Sequence, residues 1–362
     1  MKQAVREQAL ALGFDECRFA AAAPPVTAPQ FLTWLNNQRH GEMGYLERNA
    51  TKRIDPQLVL PGANTVIVVA ASYATREECR PTAVAAPGLA SRPSLRAHHP
   101  GTIARYARFE DYHTVMGERL KQLAGFVGRL GGPETRSLWY VDTGPVLERE
   151  FAQRAGLGFV GKHTNVISRQ LGNWLLLAEI LTTLPLEPDP PEKNRCGACA
   201  RCLAACPTGA LIAPFQLDAR LCLSYLTIEL KGSIPLDLRP KIGTRIFGCD
   251  DCLAACPWNR FAREARLMKP HARPELGTPD LLDLLSLTEA GFRQRFAGTA
   301  VTRTKRRGLL RNVCVALGNS GDASALPALE RARHDPEPLI AEHAGWAIGQ
   351  IRKRATADRP GR

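Results

Sequence analysis

Eight of the eleven cysteines lie between Cys196 and Cys256. They run Cys196-x2-Cys199-x2-Cys202-x3-Cys206-Pro207, then Cys222, then Cys249-x2-Cys252-x3-Cys256-Pro257. Whatever this segment folds into must gather soft sulfur donors twice. A compact C-x2-C-x2-C loop closed by C-x3-C-P is the spacing of two-cluster ferredoxin segments, in which the cysteine before the proline crosses to the other cube. That crossing assigns one cube to Cys196, Cys199, Cys202 and Cys256. It sends Cys206 to join Cys249 and Cys252 at the other, where Cys222 supplies the thiolate the second loop lacks. The expectation is two 4Fe-4S clusters and a chain that moves electrons.

Other readings of these cysteines fit less well. Structural zinc uses C-x2-C pairs, but it does not require two C-x3-C-P endings beside a triple C-x2-C-x2-C. Disulfides belong to oxidising compartments, and the sequence opens on no apolar signal segment. Cys17, Cys79 and Cys314 read as ordinary thiols.

At 362 residues and 44% hydrophobic content, the chain can build two or three cores. No apolar run approaches the roughly 18 residues of a membrane span, so a soluble, cytoplasmic protein with no membrane partner is expected. The net charge of +13 is the second constraint. Between Gly291 and Arg311 lie Arg293, Arg295, Arg303, Lys305, Arg306, Arg307 and Arg311, and no acidic residue. Such a run is either a solvated face or a grip for a polyanion, and its imbalance favours nucleic acid.

Hydropathy sketches an α+β multidomain chain. Thr65 to Ala71 reads as a strand buried on both sides, Leu138 to Val141 and Trp174 to Leu181 as further strands. Helices are expected from about Asp111 to Leu130 and from Val146 to Ala155, and Phe31, Leu32 and Leu35 read as one apolar helix face. Arg80 to Pro100 is a loop rich in Pro, Ala and Ser, and Pro185 to Pro191 is a linker. Asp280 to Leu287 and Glu289 to Phe296 begin a helical tail. There Ala316-Leu-Gly318 recurs as Ala347-Ile-Gly349, each closing a helix of a short HEAT-like array.

Among possible catalytic groups, Asp142 stands at the end of a strand before a Gly-Pro turn, where it either serves a pocket or caps the next helix. Glu148, Arg149 and Glu150 read as a solvated helix face or as i,i+4-type pairing. Gly156 to His163 is glycine-rich, and His98, His99 and His113 have no partner at metal-ligand spacing. No G-x-G-x-x-G opens a strand-helix unit, which disfavours a Rossmann-bound nucleotide.

The residues also carry a family likeness. Met43-Gly-Tyr-Leu-Glu-Arg48, Arg53-Ile-Asp-Pro56, Leu60-Pro-Gly-Ala63, Ala104-Arg-Tyr-Ala107, Asp111-Tyr-His113, Val141-Asp-Thr-Gly-Pro145 and Gly161-Lys-His-Thr-Asn165, with the double cysteine motif, resemble the epoxyqueuosine reductases. The likeness continues through Thr299-Ala-Val301, Gly308-Leu-Leu-Arg-Asn312 and Glu342-His-Ala-Gly-Trp-Ala347. Arg108-Phe-Glu110 departs from the family pattern. The resemblance implies an N-terminal α/β domain over 1–184 that binds base-off cobalamin and is similar to the reductive dehalogenase core. A ferredoxin-like domain with two 4Fe-4S clusters follows over 185–262, and a C-terminal α-helical, HEAT-like tRNA-binding domain over 263–362.

It further implies reduction of epoxyqueuosine to queuosine at the wobble position of tRNA carrying a GUN anticodon, the last step of queuosine biosynthesis. A monomer takes electrons from a donor such as flavodoxin or ferredoxin. Cob(I)alamin fed by the clusters opens the epoxide while Asp142, kept neutral by burial beside the corrin, protonates the departing oxygen. Arg53, Asp142, Thr143, Gly144, His163, Ser224 and Asp250 are the implied cobalamin contacts. Arg303, Lys305, Arg306, Arg307 and Arg311 would bind the anticodon stem-loop. A dehalogenase-like corrinoid reductase of a small molecule, or a ferredoxin-type carrier fused to a helical interaction module, would share the clusters.

Overall fold

The β-branched run from Thr65 becomes the centre of the molecule. In the computed structural model, which describes residues 1–76, 79 and 99–357, strands β1 (Glu16–Ala21), β2 (Thr65–Ser72), β3 (Ser137–Tyr140) and β4 (Leu175–Thr182) form one sheet in the order β1-β2-β4-β3. Every residue of β2 is buried, because β1 and β4 flank it and helices cover both faces. Alternation sorts its side chains. Ile67, Val69 and Ala71 join Ala178 and Ile180 against helices α1 (Lys2–Ala11) and α2 (Tyr112–Gly131). Val66, Val68 and Ala70 join Leu181 against helix α3 (Glu148–Arg154).

Three expectations change. All three ladders are antiparallel, so the crevice rule for parallel sheets does not place the site. β1 was not foreseen; its six residues are short and pair with the far longer signal of β2. Leu32 is exposed while Leu35 is buried, so the proposed apolar face of that helix is only partly used. The expected loop from Arg80 onward and His98 lie outside the described residues.

In the tail, helices Leu281–Leu285 and Glu289–Phe296 lead into α4 (Lys305–Ser320), α5 (Leu326–Ala332) and α6 (Pro338–Ala357). Ala316-Leu-Gly318 nears the end of α4, but Ala347-Ile-Gly349 lies inside α6 rather than closing it. Their smallness serves helix contact: a Cβ on Gly318 would run into the Trp346 ring and come within 3.0 Å of the Ala347 Cα. Packing also crosses the expected domain limits. Ala262, Ala265, Leu267 and Met268 join the sheet core, while Ile103, Ala107 and Phe247 join the helical one. No described helix is long and apolar enough to cross a membrane.

Gly318→Leu should therefore overpack the α4–α6 contact and destabilise the protein by about 1–3 kcal/mol. Thermal melting should show a drop of several degrees; an unchanged Tm would mean that the helices are not in this close contact.

Candidate active site

Cys196, Cys199, Cys202 and Cys256 line one cavity, with Lys162, His163, Ile167, Pro257 and Trp258 completing its wall. The Lys162 Nζ donates to the carbonyls of Gly197 at 2.8 Å and Cys199 at 2.9 Å, which ties the first thiol loop to the N-terminal portion. The second group shows in its electrostatics. Cys252 has its pKa raised by burial and then by the neighbouring thiols Cys249, Cys222 and Cys206. Burial likewise pushes Cys249 and Cys256 up to about 12. Cys206 is the exception: burial raises it, but N–H donation from Leu211, Thr208 and Ala210 outweighs this and lowers it.

Asp142 follows β3 in a left-handed backbone conformation, φ 55°, which is uncommon for a non-glycine residue. It does not cap α3, whose N-terminus at Leu147 has no side-chain cap. Instead its Oδ2 accepts a 2.7 Å hydrogen bond from the Tyr112 hydroxyl. Tyr112 stands at the start of α2, where Asp111 caps the helix and holds His113 at 2.7 Å. The Tyr106 ring meets Tyr112 edge-on at 5.9 Å and Phe247 at 6.2 Å. Burial raises the Tyr106 pKa, and the charges of Asp142 and Asp250 raise it further. The partly buried Tyr106 ring thus bridges Tyr112, the hydrogen-bond partner of Asp142, and the segment carrying Cys249. Asp142 itself is exposed, so the chain's own atoms do not provide the burial expected to keep it neutral.

Comparison with known proteins agrees with this layout. A 4Fe-4S double cluster binding domain matches residues 195–259, and the epoxyqueuosine reductase QueG family matches residues 53–143. Epoxyqueuosine reductase of Salmonella typhimurium is 39% identical over 98% of this chain and 89% of its own length. That of Escherichia coli is 38% identical over 99% and 91%. The chain belongs to the epoxyqueuosine reductase family. A solved epoxyqueuosine reductase carrying an epoxyqueuosine-modified tRNA-Tyr stem loop superposes with a TM-score of 0.86 at 32% identity, covering 99% of this chain and 94% of that one. The enzyme from Streptococcus thermophilus gives 0.86 at 32% identity, over 100% and 91%.

The other expected contacts scatter. Arg53 is half-buried; its Nη1 donates to the Val146 carbonyl at 3.1 Å, and its buried Nε has no partner. Thr143 is exposed, but Gly144 is a packing glycine, since a Cβ there would strike the Tyr140 ring. His163 lines the first thiol cavity and is 2% exposed. Burial and the Arg149 charge lower its pKa to about 4, so the ring is neutral. Asp250 accepts from the Arg105 N–H at 2.8 Å, and Ser224 donates its backbone N–H to the Cys222 sulfur.

The basic run is less free than its sequence suggests. Arg311 is corrected outright: only 1% exposed, it donates to the carbonyls of Leu226, Leu230 and Gly232 at 2.6 to 2.7 Å and cannot meet phosphate. Helical periodicity turns it inward with Gly308 and Asn312. Arg306 is tied to Asp335 at 2.6 Å and to the Leu287 carbonyl. Arg303 pairs with Glu229 at 2.7 Å and remains about half exposed. Lys305 and Arg307 are exposed and pair with no carboxylate among the described residues. Of the two readings of Glu148 and Glu150, pairing holds for Glu150, which forms an i,i+4 ion pair with Arg154, while the solvated face does not. Glu150 is buried and also accepts from the N–H groups of Val26 and Thr27, and Glu148 is half-buried.

Cys222→Ala should leave about four of about eight irons per chain after reconstitution, because one cage loses a donor and the other keeps all four. Iron analysis and electron paramagnetic resonance check this; full iron with both cluster signals unchanged would remove Cys222 from the ligand set.

Proposed function

We propose that the protein reduces epoxyqueuosine to queuosine in tRNA. The observation that carries this reading is the Tyr106 ring, packed between the Asp142–Tyr112 pair and the strand leading to Cys249. A proton donor at that turn and an electron carrier at the thiols would together supply what reductive opening of an epoxide requires. Full-length kinship with epoxyqueuosine reductases selects the substrate.

The residues also suit a large cofactor with polar edges. Arg53 keeps an orphaned buried Nε, and Asp142 and Thr143 are exposed on a left-handed turn beside Tyr112. Cobalamin, held by Arg53, Asp142, Thr143, Ser224 and Asp250, would supply a low-valent cobalt nucleophile, and the two clusters would supply its electrons singly. Gly144 and His163 are better explained by the Tyr140 and thiol-cavity contacts. Asp142 gives its proton to the epoxide oxygen as the ring opens. The Tyr112 hydroxyl fixes the orientation of that carboxyl, and Tyr106 closes the wall behind it.

Lys305 and Arg307, assisted by Arg303, are the phosphate contacts, and the helical tail, read as a short HEAT-like pair, presents them beside the catalytic turn. Arg303 spans the two: Glu229, Tyr45, Asp142 and Tyr112 all act on its charge. The anticodon base would be splayed from its loop to reach Asp142.

Asp142→Asn should retain both clusters and bound cobalamin yet lose at least about 100-fold in turnover, because the amide has no acidic proton. Near-normal reduction of an epoxyqueuosine stem-loop would refute the assignment. Replacing Lys305 and Arg307 together by Ala should flatten the slope of log affinity against log salt by roughly 1.4 to 1.8, at about 0.7 to 0.9 per phosphate contact. An unchanged slope would move the tRNA elsewhere on the protein.

A further inference from the structure

Turning an epoxide into an alkene takes two electrons and two protons, and the oxygen leaves as water. On the proposed function, on which this inference rests, the thiol cages pass those electrons singly, so a one-electron carrier must reach a cage twice in each turnover. Exposure decides which cage it reaches.

The group that includes Cys249 lies toward the catalytic turn. Phe247, two residues before it, packs on Tyr106, and Tyr106 on the tyrosine that holds Asp142. The cage of Cys196, Cys199, Cys202 and Cys256 meets the surface instead. Gly197, Ala198, Ala200 and Arg201, which separate the first three of these cysteines, are all exposed.

Apolar side chains adjoin this loop from two directions. A hairpin of strands Leu211–Ala213 and Gln216–Leu217 leaves Ile212 42% and Phe215 47% exposed. The Phe215 N–H donates at 3.0 Å to the carbonyl of Lys162, whose Nζ grips the Gly197 and Cys199 carbonyls. From the other direction Trp258, part of the cage wall, meets the ring of Phe261 at 5.5 Å, and Phe261 is 39% exposed.

The charges around these side chains have one sign. From Lys193 to Leu217 the chain carries Lys193, Arg195 and Arg201 and no carboxylate. Glu192, just before them, is held by Arg195 at 3.0 Å and by Arg169 at 3.7 Å, so it does not offset the exposed Lys193 and Arg201. Arg260 is exposed as well and lies over the Phe261 ring at 4.6 Å. Exposed apolar side chains inside a cationic rim fit a partner whose own rim is acidic. Position favours a carrier over a nucleic acid, because these rings adjoin the wall of a redox cage, while the proposed phosphate contacts stand beside Asp142.

We propose that the face over the first thiol cage, marked by Lys193, Arg201, Phe215, Arg260 and Phe261, docks an acidic one-electron carrier protein, and that electrons enter the molecule there. Each encounter oxidises the carrier by one electron and reduces the first cage by one, and that electron moves on through the second cage toward the Asp142 turn. Two encounters supply the pair, and the two protons come from Asp142 and solvent. The contact is small and short-lived, as electron-transfer encounters are, and its cations govern the rate of association.

The test uses the protein loaded with both clusters and cobalamin, without tRNA, and a reduced acidic flavodoxin as the probe, with cluster bleaching followed by stopped flow. Reduction of the unsubstituted protein should slow about tenfold or more as salt rises from about 50 to about 300 mM, because screening removes the attraction between cationic rim and acidic partner. Lys193→Glu combined with Arg260→Glu should slow it about tenfold or more at low salt and flatten the salt dependence, with iron content unchanged. Photoreduced 5-deazariboflavin, small and uncharged, should reduce both proteins equally fast. Phe215→Ala, on a separate element, should weaken binding of oxidised flavodoxin about fivefold or more in calorimetry while keeping the salt dependence.

A charge-reversed protein that flavodoxin reduces as fast as the unsubstituted one, or equal slowing with 5-deazariboflavin, would overturn the docking face. Loss of stem-loop affinity in that variant with flavodoxin reduction intact would give the face to nucleic acid instead. Absence of turnover on an epoxyqueuosine stem-loop by the photoreduced, unsubstituted protein would overturn the reaction and leave the docking result standing, since that result is read at the clusters.

Discussion

Gathering eight thiols within one short segment is the constraint around which the chain is organised. Desolvation pushes Cys249 and Cys256 up to about 12, so the thiolates that iron needs are unfavourable until iron is present to stabilise them. Two proline-terminated loops must therefore cross and be held from outside. Lys162 reaches from the N-terminal portion to the carbonyls of the first loop, and Arg311 reaches from the helical tail to those of Leu226, Leu230 and Gly232. The cysteine segment is thus clamped from both sides by long cationic side chains spent on backbone oxygen.

The same clamping brings proton and electron chemistry together. Phe247, two residues before Cys249, packs against Tyr106, and Tyr106 against the tyrosine that hydrogen-bonds Asp142. Beneath that turn the sheet keeps Glu179 in an otherwise apolar layer. A buried, unpartnered carboxyl costs stability, and such costs cluster where function needs them.

Patterns with a strong local cause were legible in the sequence. The cysteine spacing foretold which four residues would share the first cavity, and the apolar runs at Thr65 and Trp174 foretold the two central strands. Asp142 was visible as a polar residue between a strand and a helix. What depends on tertiary placement was not visible. Nothing local distinguishes Glu179 from a residue on a half-solvated strand, or Glu148 from a helix surface charge. Tyr112 was quoted only as part of a motif, and its hydrogen bond arises from two elements thirty residues apart. Charge counting misled at Arg311 for the same reason: a guanidinium looks alike in sequence whether it faces phosphate or three buried carbonyls.

The account's central claim is that this constellation converts epoxyqueuosine to queuosine in tRNA. The most direct measurement is mass spectrometry of tRNA nucleosides from cells lacking this protein, with and without the gene restored. The predicted result is epoxyqueuosine in place of queuosine, reversed by the restored gene. Undiminished queuosine in its absence, with no epoxyqueuosine accumulating, would contradict it.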